Sequence, residues 1–210
     1  MKINNIIIQN DGYVYCKSCF YTCDDILPTD KAYTFSVGTN KLVGEIDSGN
    51  WAVSYLLSMY KHRPQDFVLY GEPTLTINGK MISLNEASEH TCYMDEKFYP
   101  LFSSSKSVKE LIEDGIKHTK SDYTYDKIKE IFDLDSERTA RPISSVGNER
   151  FRAMAAVGIA YGKEIFCFPW LSNKRFEGYH KNLSGLLEIL ASLGKISILP
   201  IGAPTKQEDN

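Results

Sequence analysis

The chain has 210 residues, 42% of them hydrophobic and 24% charged, with a formal net charge of −3 at neutral pH. That length suffices to bury a full core, as one domain carrying a smaller inserted lobe, and the balance is that of an ordinary soluble globular protein. Mild acidity without local basic runs excludes the electrostatic footprint of a nucleic-acid or anionic-lipid binder. The opening stretch MKINNIIIQNDG has only three consecutive isoleucines before polar residues resume, too short for the apolar region of a signal peptide. No apolar run approaches the ~18 to 20 residues that span a bilayer. A cytoplasmic location is expected, with any membrane role, including a peripheral position at the cytoplasmic face, coming through a partner.

Residues 3–8 (INNIII) and 13–21 are strand-like, separated by Asn10, Asp11 and Gly12, a sequence suited to a hairpin turn because Asp-Gly tolerates positive φ. Within the second stretch Cys16, Cys19 and Cys23 have C-x2-C-x3-C spacing. They would seed a metal site only if His90 or Cys92 folded close, and a strand with free thiols is the simpler reading. Five cysteines in all, Cys167 being the fifth, suit a reducing compartment better than a disulfide framework.

A third run, Tyr33 to Val37, precedes Gly38; Lys41, Leu42 and Val43 then lead into a glycine-bearing loop. After the loop, Val53, Leu56, Leu57 and Tyr60 recur at helical spacing. Strand, glycine loop, helix is the local grammar of a phosphate-binding loop. Thr74 to Ile77 and Lys80 to Ser83 flank Asn78-Gly79, a strong hairpin signal. From Lys97 to Arg141 the chain turns charged and helical, Val108, Leu111, Ile112 and Ile116 marking one face; this stretch, extended to residue 142, is expected to form the inserted helical lobe. Asp133, Asp135 and Glu137 alternate in what reads as a solvated turn.

In the last third, Phe151 to Tyr161 is apolar nearly all round, the mark of a helix buried on several sides. Glu164 to Trp170 suits a parallel strand covered on both faces. Leu183, Leu186, Leu187, Leu190 and Leu193 mark an amphipathic helix ending at Gly194, and Ile196 to Ile201 a further strand. Strands alternating with helices imply a parallel sheet with right-handed crossovers, hence an α/β fold.

The order of these pieces resembles the ATP-binding cassette (ABC) family over residues 3–203. LVGEIDSGNW (Leu42 to Trp51) is similar to the Walker A stretch, with Gly44 and Gly49 at G-x4-G spacing. GEPTLTINGKMI (Gly71 to Ile82) is similar to the G-x-I-x-I-N-G-K hairpin that follows it. YMDEKFYPLFSSSKSVKELI (Tyr93 to Ile112) resembles the Q-loop and the start of the helical subdomain, with Glu96 where glutamine is usual. SVGNERFR (Ser145 to Arg152) resembles the LSGGxxxR signature, keeping Gly147, Glu149 and Arg152. EIFCFPWLS (Glu164 to Ser172) falls where Walker B belongs and GKISILPIG (Gly194 to Gly202) where the strand before the H-loop belongs. The resemblance rests on six weak matches in order rather than on one specific motif. It implies a P-loop NTPase-like core with an N-terminal antiparallel β subdomain and the inserted lobe.

Set against that pattern, the catalytic side chains are missing. A P-loop needs its lysine near the β and γ phosphates and a Ser or Thr hydroxyl on Mg²⁺; Asn50 and Trp51 stand there, after Asp47, Ser48 and Gly49. Glu45 and Asp47 add negative charge. At ~6 Å and an effective dielectric of ~20, each carboxylate opposes a phosphate charge by about 2 to 3 kcal/mol. Pro169 replaces the magnesium-associated aspartate, Trp170 the glutamate that activates water, and Gly202 the H-loop histidine. In the signature, Val146 lacks the serine hydroxyl and Asn148 replaces a glycine. Losing one acid–base group typically costs ~10² to 10⁴ in rate, so no ATPase mechanism is expected and no cofactor is required, although backbone amides alone can still attract an anion. Trp51 and Trp170 are read as packing residues, or as fillers of the space a nucleotide would take. Tyr13 or Tyr15 offers a ring for an adenine, with cross-strand packing as the plainer role. His62, His90, His118 and His180 show no paired ligand spacing.

The resemblance implies a catalytically degenerate ABC-type subunit pairing with an active ATPase subunit, as homo- or heterodimer, and with a membrane permease. Phe98, Tyr99 and Phe102, beside Glu96, are either anchors for that permease or part of the lobe's own core. The alternative is a soluble adaptor that uses the same fold as an interaction surface.

Overall fold

The computed structural model describes residues 2–9, 14–17, 24–27, 32–45, 48, 50–59, 67–69, 73–95, 99–102 and 105–203, with backbone only at 14–17, 24–27, 59, 67–69, 180 and 181. Its first sheet is antiparallel, in the order β4 (Ala32–Ser36), β1 (Asn5–Gln9), β7 (Thr74–Ile77), β8 (Lys80–Ile82). The alternation of β1 puts Ile6 and Ile8 on the buried face. Ile6 lies between Phe35 and Ile77, and Ile8 between Tyr33 and Leu75, two cross-strand apolar rows that fix the register. The Asn-Gly signal is met where the sequence places it. Asn78 and Gly79 take φ of 51° and 76° between the paired strands β7 and β8, the left-handed pair that a two-residue hairpin favours. Asn78 also accepts from the Asn4 amide at 2.8 Å and donates to the Lys2 carbonyl at 2.8 Å, tying the turn to the start of the chain.

The hairpin expected from Asn10, Asp11 and Gly12 does not join its flanking strands. β1 pairs with β4 and β7, whereas β2 (Val14–Lys17) sits in a separate three-stranded sheet between β3 (Asp24–Leu27) and β6 (Phe67–Leu69). The turn residues themselves lie outside the described residues. A turn signal acts on two or three residues, while pairing goes to strands whose buried rows match along their length.

The third sheet is wholly parallel, in the order β5 (Gly38–Val43), β11 (Ile196–Ile201), β10 (Ile165–Cys167), β9 (Thr91–Tyr93). Every residue of β9, β10 and β11 is buried, as a parallel strand covered on both faces requires. A half-buried ion pair, Lys195 Nζ to Glu164 at 2.6 Å, joins the entrances of β11 and β10. β5 lies at the margin of this sheet rather than at its centre.

Helix α1 (Asn50–Met59) packs on β9, β10 and β11 and also touches β2 and β3. Its residues 50–58 are all buried, so the expected face of Val53, Leu56 and Leu57 is only part of what it hides; Tyr60 lies outside the described residues. The short α2 (Leu84–His90) starts from a Ser83–Glu86 capping box, and α3 (Val108–Thr119) from a matching Ser107–Glu110 box, each satisfying otherwise orphaned amides. α4 (Tyr125–Ile131) and α5 (Ser136–Thr139) follow, α5 capped by Asp135. The stretch expected as a helical lobe is helical, and α3 packs on α6 (Arg150–Ala160), outside that stretch. α7 (Asn173–Ser192) covers β5 and β11 and gives way to Gly194 at φ 70°.

The α3–α6 crossing is held close by Gly115, where an added Cβ would stand 2.7 Å from Tyr161 Cδ2 and 2.9 Å from the Ala160 carbonyl carbon. Gly115→Ala gains about 1 kcal/mol of helix propensity, but overpacking against backbone costs about 1 to 3 kcal/mol. A net loss of stability is expected as a lower urea midpoint. Gly178, exposed within α7 with nothing near its Cβ position, should show the reverse: Gly178→Ala is expected to stabilise by about 0.5 to 1 kcal/mol. If the two midpoints move the same way, the crossing is not held as described.

Burial chiefly, with nearby positive charge, that of Lys163 included, as a lesser cause, holds the His90 imidazole below its ordinary value of 6.5. The unfolded chain therefore binds this proton more tightly than the folded one. The corresponding stability is complete above pH 6.5 and is lost as pH falls from there through the lower folded value. His90→Gln is expected to flatten that limb of a stability–pH curve; an unchanged acid limb would refute the assignment.

Candidate functional site

In an open parallel sheet, the crevice for a ligand lies beyond the carboxyl ends of the strands. Four segments meet at that edge here: Gly44 after β5, residues 168–171 after β10, Gly202 after β11, and Tyr93 at the end of β9. The Gly44 amide donates to the Ile201 carbonyl at 2.9 Å, carrying the β5–β11 ladder one residue into the loop. The Leu171 amide bonds the Pro200 carbonyl at 3.0 Å, and the Gly202 amide returns to the Leu171 carbonyl at 2.8 Å. Ser54, on the second turn of α1, donates its hydroxyl to the Phe168 carbonyl at 2.6 Å, which fastens the helix to the end of β10.

Side chains close over this backbone. Half-buried Trp170 donates its indole N–H to the Gly44 carbonyl at 3.2 Å. Its ring also covers Gly202, where a Cβ would lie 3.3 Å from Trp170 Cζ2 and 3.0 Å from the Asn173 amide nitrogen. Any side chain at Gly202 would have to displace one or the other. On its other side Gly44 is crowded by Asn50 Nδ2 and Ser48 Oγ, each 2.6 Å from where a Cβ would stand. Gly44 is thus required for close approach rather than for an unusual φ. Ser48 Oγ is buried with no hydrogen-bond partner among the described residues.

Trp51 turns the other way. It is 1% exposed, stacks on Tyr55 with ring centroids 4.9 Å apart, and donates to the Tyr93 hydroxyl at 3.2 Å. Tyr55 meets Tyr93 edge-on at 5.5 Å. The first turn of α1 therefore carries an aromatic cluster packed against β9, in keeping with the packing role. At this end of the sheet the described loop side chains are the neutral Ser48 and Asn50 and the exposed carboxylate Glu45. Pro169, half-buried, brings no ionisable group.

Val146, Gly147, Asn148 and Glu149 form a separate cluster of 3-10 turns leading into α6. Val146 is buried, Gly147 takes φ 70°, and Asn148 is exposed. Glu149 pairs with Arg138 at 2.7 Å and Arg152 with Asp133 at 3.1 Å, so these two residues of the signature-like run tie α6 and its start back to the helical layer. Asp133 and Asp135 are accordingly part of the helical layer's ties, the latter as a cap.

Of the other expected site residues, Asp47, Gly49 and Glu96 lie outside the described residues, as do Phe98, Tyr13, Cys19, Cys23, His62 and the side chains of Cys16, Tyr15 and His180. Tyr99 and Phe102 resolve in favour of the core: they are 6% and 2% exposed, with ring centroids 5.1 Å apart. Cys92 and Cys167 are buried on neighbouring strands, and burial raises both thiols, Cys167 to about 12. No group of three or more His, Cys, Asp or Glu that could hold a metal occurs among the described residues. Ser54, Tyr93 and Leu171, which fasten the site, gave no sequence signal; a serine inside an apolar helix is the nearest thing to one.

No family model matches the chain, and no curated protein does. Solved structures do. One is a Pyrococcus furiosus protein named as a candidate ABC transporter ATP-binding protein, 14% identical, with a TM-score of 0.57 over 98% of this chain and 94% of that one. At that identity the likeness concerns the fold, and with the parallel sheet and its helices it gives this chain an ABC-ATPase-like α/β architecture. No helix among the described residues is long and apolar enough to cross a membrane.

Proposed function

We propose that the chain is a non-catalytic ABC-type subunit that supplies a folded surface to a transporter assembly, pairing with an active ATPase subunit and a membrane permease. The observation that carries this reading is the contact between Trp170 and Gly44. The residue standing where the resemblance implies a water-activating glutamate donates instead to the carbonyl of the glycine loop, at 3.2 Å. In P-loop enzymes, phosphoryl transfer rests on positioning and charge neutralisation. Here Asn50 brings no positive charge, Trp51 is stacked into the core, and Pro169 has no carboxylate for magnesium. Trp170 and the pair Ser48 and Asn50 crowd the two sides of Gly44, which supports the reading that protein atoms take the place of a nucleotide.

The surface such a subunit offers does not depend on hydrolysis, so the fold is retained for its shape. Phe102 and Tyr99 are unsuitable as permease anchors, being buried.

Two measurements test the proposal. Isothermal titration with Mg-ATP is expected to give no saturable binding, and phosphate release by the unmodified protein to equal that of a mock preparation. Turnover above that level would end the non-catalytic reading. Affinity purification from detergent-solubilised cells is expected to recover a polytopic membrane protein together with an intact ATPase; recovery of soluble partners alone would favour the adaptor alternative.

A further inference from the structure

β5 leaves one side of its sheet open. The bonds that bracket its parallel ladder to β11 are the Gly38 amide to the Lys195 carbonyl and the Gly44 amide to the Ile201 carbonyl, both 2.9 Å. The N–H and C=O groups of Gly38, Asn40, Leu42 and Gly44 therefore lie on the β11 side, and those of Thr39, Lys41 and Val43 point the other way. No described strand pairs with them there. Among the described strands at the margins of the three sheets, β5 is the longest, with six residues. Natural edges are blunted by shortness, proline, a bulge or charge. β8 and β9 have three residues each, and at β4 the Asn40 side chain takes both the amide and the carbonyl of Ser36, at 3.2 and 2.8 Å. β5 has only the charge of Lys41.

The side chains along this edge carry a charge pattern. Exposure alternates from Thr39 to Glu45: Thr39, Lys41, Val43 and Glu45 are exposed and the residues between them half-buried, so these four share one face. Val43 is 54% exposed, and the Lys41 ammonium lies 5.3 Å from the centroid of the Phe176 ring on α7. The chain turns after Glu45, whose carbonyl accepts from the Ser48 amide at 3.0 Å. A second copy laid antiparallel against the edge sets outward groups against outward groups, so odd-numbered residues face odd-numbered ones. Between the two charges, the two-fold axis can pass Lys41, Leu42 or Val43. At Lys41 two ammoniums oppose each other, which is destabilising. At Leu42 each lysine faces Val43. At Val43 the two valines meet, and each Lys41 faces Glu45 of the second copy. Only this register forms opposite-charge pairs, and symmetry forms them twice, around an apolar contact.

We propose that the chain forms a symmetric dimer by antiparallel pairing of β5 with β5 of a second copy, centred on Val43 and held in register by Lys41 and Glu45. The two four-stranded parallel sheets then continue as one. The α7 helices of the two copies lie on the same face of it, because a two-fold axis normal to the sheet does not exchange its faces. None of this depends on whether the loop at Gly44 takes a nucleotide, so the dimer stands or falls separately from the function proposed above.

Sedimentation equilibrium of the full chain over a concentration series is expected to show a reversible rise from 23.8 kDa to twice that mass. Lys41→Glu or Glu45→Lys alone sets like charges opposite each other twice and should weaken the dimer about tenfold or more. The two substitutions together should restore it, while urea midpoints report separately on the fold of each variant. Under mild oxidation, Val43→Cys should give a covalent dimer bridged between the two substituted positions, located by peptide mapping, since directly opposed residues have Cα atoms ~5.5 Å apart. Thr39→Cys should not, its two copies standing roughly 26 Å apart at about 3.3 Å per residue. A chain that stays monomeric throughout the series overturns the proposal, whether another protein's strand or nothing takes the edge. So does a dimer that the single charge changes leave unaltered, one that the double change does not restore, or bridging at position 39 as readily as at 43.

Discussion

The crowding around Gly44 is the constraint on which the candidate site depends. Its amide is used by the sheet, its carbonyl by an indole, and its missing Cβ by Ser48 and Asn50. A phosphate-binding loop works by leaving successive backbone N–H groups turned toward an open concavity. At Gly44 the amide is already bonded to Ile201. The indole contact also links three strand ends, since Trp170 follows β10, Gly44 follows β5, and the ring lies over Gly202 after β11. Substituting the tryptophan would therefore loosen a structural junction and uncover the loop at once, and the two effects must be separated in any mutational reading.

Much of the frame was legible in the sequence because it is written in periodicity. The three-residue run of isoleucines alternates correctly once Ile6 and Ile8 find Phe35, Ile77, Tyr33 and Leu75 opposite them. Asn78-Gly79 stated its turn type outright. The leucines of α7 and the small residues of α6 marked one helix face and one helix buried throughout from Ala153 to Ala160. Illegible was anything set by non-local choice. β1 and β2 are neighbours in sequence and strangers in space, because the partners that match Ile6 and Ile8 lie some 30 and 70 residues away. The short strand β9, three residues long, offered too little pattern to be seen, although it supplies Tyr93 to the aromatic cluster.

The candidate site was legible as a location and not as an interior. Spacing placed Gly44, Pro169, Trp170 and Gly202 at the ends of strands, and the parallel order β5-β11-β10-β9 brings those ends together. Which way each side chain turns was not recoverable. Trp51 and Trp170 have the same composition signal, yet one is stacked on Tyr55 within the core and the other lies half-buried across the loop. The difference arises from position on the helix: Trp51 is in the first turn of α1, whose residues 50–58 are buried, while Trp170 follows the end of a strand with one side still open to solvent.

The two ends of the parallel sheet are chemically unlike, and the contrast follows from how each end disposes of its polar groups. At the carboxyl end, the amides of Gly44, Leu171 and Gly202 bond to neighbouring strand ends, and the Trp170 indole bonds the Gly44 carbonyl. At the amino end, where four helices finish, the hydroxyls of Ser58, Ser88 and Thr119 donate to backbone carbonyls of the helices. Burying an unpaired polar group costs about 1 to 3 kcal/mol, so both ends must satisfy their backbone. The same need to satisfy buried backbone groups is thus met by strand-end amides at one end of the sheet and by side-chain hydroxyls at the other.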